Sequence, residues 1–150
     1  MRRFLPDTSC MVAAVCSWHE RHADVADELE RRLGSGDEMV VAAPALVETY
    51  AVLTRLPAPH RIAPKDALAL IEANFINMGD TVALEAASYH RLLQQAPEEG
   101  VAGGRTYDSV IAACALKAKV PVLLTLNARH FLPFATKAMS ILTPAVASAT

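Results

Sequence analysis

Three carboxylates stand where an acid is costly. Glu48 has Pro44, Ala45, Ala51 and Val52 three and four positions away, so on a helix it shares the apolar face. Asp108 has Ile111 and Ala112 as its corresponding neighbours, on the stripe of its helix that should face a sheet. Asp7 follows the apolar stub Phe4-Leu5, and in open α/β sheets the ligand crevice lies beyond the carboxyl ends of the strands. All three are expected to point inward and to converge. Burying an unpaired carboxylate costs on the order of several kcal/mol, so each acid must be neutralised, paired or bound to a metal. Like charges sharing a pocket favour a divalent ion that prefers hard oxygen, Mg²⁺ with Mn²⁺ as substitute. The competing reading is structural, each acid pairing with an arginine such as Arg55, Arg105 or Arg129.

The stretch Leu123-Leu124-Thr125-Leu126-Asn127-Ala128-Arg129-His130-Phe131 adds a hydroxyl and an amide after an apolar run. Asn127 can serve a metal-bound water, or it can cap a short helical turn from Ala128 to Phe131, and the two roles are compatible. Zinc is disfavoured, because His19 and His22 have no nearby thiolate or third imidazole. Cys10, Cys16 and Cys114 are odd in number, lack C-x-x-C spacing and lie in small apolar runs, which reads as core packing in a reducing cytoplasm.

Around these residues the chain alternates strand and helix signals. A strand at Phe4-Leu5 precedes a small-residue helix from Ser9 to Val15, capped by Ser9 or Thr8. Asp24 to Leu33 has the spacing of a surface helix whose charges form a solvated face. Met39 to Ala42 reads as a strand, and Pro44 opens a helix to about Arg55. Pro64 restarts a helix through about Phe75, Ala83 to Gln95 is another, and Ala96 to Gly104 is a loop. A helix capped by Thr106 runs to about Lys119, followed by strands at Pro121 to Leu124 and Met139 to Leu142 and a loose tail over 143–150. The pattern predicts an α/β fold of three layers, α/β/α, around a mainly parallel sheet, as a single domain over residues 1–150.

Composition agrees with that class. The 150 residues are 53% hydrophobic and 20% charged, an ordinary globular balance that excludes disorder. A formal charge of −2 excludes a bulk basic field, so a polyanion partner must be held by a local site. Arg2-Arg3 ahead of the apolar run Cys10 to Trp18 is a poor copy of a signal peptide, and no stretch approaches the roughly 18 apolar residues of a membrane span.

The order and spacing of several short motifs resemble the PIN-domain ribonucleases, specifically the VapC-type toxins of bacterial toxin–antitoxin pairs. They are Asp7-Thr8-Ser9, Glu48 after the second strand, Gly104-Arg105-Thr106-Tyr107-Asp108 with Ile111-Ala112-Ala113, and Thr125-Leu126-Asn127 through His130-Phe131. The resemblance implies that Asp7, Glu48 and Asp108 are catalytic metal ligands, directly or through water, with Ser9 and Thr125 as supporting hydroxyls. Beside it, Asn127 is read as a further supporting group, and Arg105 and Arg129, each near a proposed ligand, are candidates to contact phosphates, the competing reading being solvent-facing arginines. The resemblance further implies metal-assisted RNA hydrolysis, a small cognate antitoxin, a homodimer, and a cytoplasmic protein without membrane contact. Asn127 stands near where the family often has a fourth acid. A non-catalytic PIN-like module that binds protein or RNA is the alternative.

Overall fold

A computed structural model describes residues 2–147. Five strands form one sheet in the order β3-β2-β1-β4-β5, and every pairing is parallel. They are β1 (Arg3–Pro6), β2 (Glu38–Ala42), β3 (Gly79–Val82), β4 (Val122–Leu124) and β5 (Ser140–Leu142). The helices are α1 (Thr8–Val15), α2 (His22–Gly34), α3 (Ala43–Arg55), α4 (Pro64–Ile71), α5 (Ala86–Glu99), α6 (Arg105–Lys117) and α7 (Ala128–Phe131). A π-helical turn, Glu72–Ile76, extends α4. Val122, Leu123 and Leu124 are all fully buried. Because neighbouring strand residues face opposite ways, the sheet is covered on both faces, and the molecule is a three-layer α/β/α sandwich. No helix among the described residues is long and apolar enough to cross a membrane.

The order of strands decides where a site can form. The chain goes from β1 outward to β2 and β3, then returns across β1 to place β4 and β5 on its other side. The carboxyl ends of β1 and β4 therefore flank the point where the winding reverses, which is where open parallel sheets leave a crevice.

Several expectations need correction. β3 was not foreseen, being a polar, largely exposed strand with no apolar period. It depends on Gly79, where a Cβ would come within 2.4 Å of the Met39 carbonyl oxygen. Helix α5 runs on through Pro97 to Glu99 instead of stopping before a loop at Ala96. A proline that close to a helix end forfeits a single hydrogen bond, and Gly100, at φ 69°, makes the left-handed stop. The charges of α2 are also not all solvated: Asp24 and Arg32 are buried. Arg32 lies over the Phe4 ring and is flanked by Glu28 and Asp37, while Arg21 pairs with Asp24. Residues 143–147, for which a loose tail is expected, are held at two points. The Arg21 guanidinium donates to the Pro144 carbonyl at 2.9 Å, and the Ala147 N–H donates to Asp24 Oδ1 at 2.6 Å. The rest of that expected tail, 148–150, lies outside the described residues.

Candidate active site

Asp7 leaves the end of β1 and becomes the N-cap of α1, a role the sequence suggested for Ser9 or Thr8. Its Oδ1 accepts from the Cys10 N–H at 3.0 Å and from the Ser9 hydroxyl at 2.6 Å, and its Oδ2 accepts from the Thr125 hydroxyl at 2.6 Å. Both hydroxyls are themselves aimed by backbone. Leu126 N–H donates to Ser9 Oγ, and Asn127 N–H donates to Thr125 Oγ1, so each hydroxyl proton is left to point at the carboxylate. The Asp7 side chain is thus clamped between the ends of β1 and β4, and it is 2% exposed. Burial pushes its carboxyl up to about 6, against the three hydrogen bonds, and the charge of Asp108 adds to the rise.

Asp108 comes from the first turn of α6, where an acid is favoured by the helix dipole. Partial burial raises its carboxyl above the usual range, His130 opposes the rise, and Glu48 adds to it. His130 Nδ1 lies 3.1 Å from Asp108 Oδ2. Glu48 is half-buried on α3 and faces the same opening. Together the three acids line an open cleft of about 780 Å³, whose apolar lining includes Val12, Val52 and Leu126.

The arginine-pairing reading is not what the structure has. Among the described residues, none of the three acids forms an ion pair with an arginine, and the one basic partner is His130. The acids nevertheless do not close into a tight cage: no group of three or more His, Cys, Asp or Glu among the described residues is close enough to grip an ion. The donor set itself fits a hard divalent cation. It consists of carboxylates alone, and their mutual repulsion is felt at both Asp7 and Asp108, which is what such an ion relieves.

The cleft collects Ser9, Asn127 and Arg105, while Thr125 supports it from beneath as a fully buried side chain. Arg129 is exposed and does not line it. Asn127 occupies the N-cap position of α7 without a side-chain capping bond, which leaves its amide free at the cleft. Sequence reasoning missed His130, His19 and Arg21. His130 reaches Asp108 from 22 residues away, so no local spacing betrays the pair. His19 lines the cleft with its Nδ1 accepting the Arg21 N–H at 3.0 Å.

Comparison with known proteins shows which family has this sequence and fold. The model of the PIN domain matches residues 4–135. Ribonuclease VapC40 of Mycobacterium tuberculosis is 43% identical over 124 residues, 83% of this chain and 86% of that protein. Ribonuclease VapC27 of the same organism is 32% identical over 123 residues, 82% of this chain and 83% of that protein. Among solved structures, DNA-bound VapBC from Salmonella typhimurium aligns with a TM-score of 0.66 at 20% identity, covering 97% of this chain and all of that one. M. tuberculosis VapC20, described as a sarcin-ricin loop cleaving toxin, aligns at 0.62 with 16% identity over 80% of this chain and 86% of that one. The chain with its carboxylate cleft at the β1/β4 reversal therefore belongs to the PIN-domain family and, within it, to the VapC ribonucleases.

Proposed function

We propose that this chain is an endoribonuclease that hydrolyses RNA phosphodiester bonds with a divalent metal, Mg²⁺ or Mn²⁺ in its place, as the toxin of a toxin–antitoxin pair. The observation that carries the reading is the convergence of Asp7, Glu48 and Asp108, from β1, α3 and α6, on one cleft in a chain 43% identical to a ribonuclease. VapC ribonucleases of the PIN family are generally metal-dependent. Asp7, Glu48 and Asp108 are the residues that would hold the ion, which when bound supplies an acidified water and neutralises charge developing on the phosphate. Ser9 and Thr125 keep the Asp7 carboxylate fixed and oriented; His130 does the same for Asp108. Asn127 offers its amide to a water at the cleft. Arg105, at the cleft edge, contacts phosphate; Arg129, off the cleft, serves at most a more distant stretch of RNA.

The partner reading draws on relatives solved as VapBC assemblies, and a small antitoxin covering this cleft is the expected counterpart, with a homodimer of this chain in the cytoplasm. The decisive test is cleavage of a structured RNA by the purified chain with Mg²⁺, with chelator, and as Asp108→Asn. Cleavage that chelation and the substitution both abolish supports the reading. An Asp108→Asn protein that cuts as fast as wild type overturns the site, and an intact RNA in every arm favours the non-catalytic binding module.

A further inference from the structure

We propose that Trp18 and His60 form a stacking platform for an unpaired base of the RNA whose phosphodiester lies in the cleft; this rests on the ribonuclease reading above. The two rings stack with centroids 4.2 Å apart and planes 23° from parallel. His60 is presented by a tight turn closed by its N–H to the Pro57 carbonyl, so it backs one face of the indole as a firm support. Trp18 is nonetheless 46% exposed. His60 covers one face of the indole, and the residue keeps that exposure beside the stack.

Position ties the platform to the chemistry. The next residue, His19, has its ring centroid 5.9 Å from that of Trp18 and lines the same cleft as the acids, with Glu20 and Arg21 beside it. Trp18 itself lies outside the cleft lining, one residue from His19, so a strand that leaves the acids past His19 would meet the indole with a flanking base. Composition explains why such a contact is needed. At a formal charge of −2 the chain cannot draw RNA by a bulk basic field, whereas base–aromatic stacking holds a strand without net charge and selects bases that are not paired.

Trp18 is the only tryptophan in the chain, so indole fluorescence reports its surroundings without interference from another tryptophan, and the abasic strand separates stacking from other changes. The full-length protein in chelator is titrated with a short single-stranded RNA and with an abasic ribose-phosphate strand of equal length and charge, binding of labelled strands being followed by anisotropy. The expected result is saturable quenching by RNA, in step with anisotropy, and none by the abasic strand. In cleavage assays Trp18→Ala should raise KM about tenfold at nearly unchanged kcat, and Trp18→Phe should recover most of that loss. Trp18→Phe keeps a ring against His60 and should melt close to wild type, whereas Trp18→Ala loses that stack and should melt somewhat lower while staying folded at the assay temperature. RNA binding without quenching, equal quenching by the abasic strand, or no RNA binding at all overturns the platform. Quenching by a co-expressed protein partner and by no RNA overturns it in favour of a protein contact. Quenching by RNA from a chain that never cleaves it supports the platform and defeats the ribonuclease reading instead.

Discussion

Asp7 and Asp108 open on the same cleft but are prepared in opposite ways. Asp7 is sealed at the end of β1, takes three hydrogen bonds and caps a helix. Asp108 stands on the first turn of α6 with its side chain 21% exposed and a single partner, His130, that is itself 48% exposed. The first carboxylate is fixed by the fold and suffers for its burial; the second is reached by solvent and steered by one imidazole. A cleft built this way has one immobile carboxylate and one adjustable carboxylate.

The contrast is sharpest in the consequences of removing charge. Asp7→Asn keeps a capping oxygen and relieves a buried charge but sets its amide NH2 against one of the two hydroxyls that donate to the carboxylate, so cleavage should fall roughly a hundredfold or more while the protein remains folded in chelator at neutral pH. A large drop in melting temperature would make Asp7 a structural acid first. The next effect is on pH dependence. The Asp7 carboxyl sits at about 6 when folded against an ordinary value of 3.8, so between those limits the folded chain holds a proton that the unfolded chain has released. Stability from this group is therefore complete below about pH 4 and lost as pH rises through 6, by about 3 kcal/mol at most. Chemical denaturation of wild type across this window in chelator, beside Asp7→Asn, measures it; the variant should lack that component of the slope, and Mg²⁺ should restore stability to wild type at neutral pH.

Glu48→Gln tests the repulsion between the two regions. It removes the charge that pushes up Asp108, so in chelator it should melt at or above the wild-type temperature while cleaving at least about tenfold more slowly and gaining less from Mg²⁺. A variant that melts well below wild type, with no Mg²⁺ response in either protein, would make Glu48 a paired structural acid. The smallest effects belong to the adjustable side. His130→Gln should slow cleavage about tenfold yet change unfolding free energy by under about 1 kcal/mol, since the pair is open to solvent. Arg105→Ala should raise KM a few-fold and Arg129→Ala should leave it within about twofold, as steady-state kinetics on a hairpin RNA would reveal.

How much of this was legible follows from which residues carry local signals. Glu48 and Asp108 betray themselves by helical phase, since an acid four residues from Val52 or three from Ile111 shares their apolar face, which here is turned to the cleft and not to solvent at large. The central strands are legible because burial on both faces demands unbroken apolar runs. β3 is not, because its Gly79-Asp80-Thr81-Val82 is selected by the backbone approach to Met39 and not by burial. The burial of Arg32 escapes notice for a related reason: Glu28 and Asp37 are local partners, but its ring contact with Phe4 is made only when β1 and α2 pack. The His130–Asp108 pair and the Trp18–His60 stack are likewise products of tertiary assembly between segments with no shared periodicity.

The capping role of Asp7 has a bearing on how such a sequence persists. Asparagine is as good an N-cap as aspartate and is uncharged, so it keeps the start of the helix and removes the cost of burying a carboxylate, against the loss of one hydroxyl hydrogen bond. Mutation toward asparagine at this position is therefore invisible to any quality control that inspects folding alone. On the proposed reading of the cleft, a single substitution there leaves a chain that still folds and no longer cleaves.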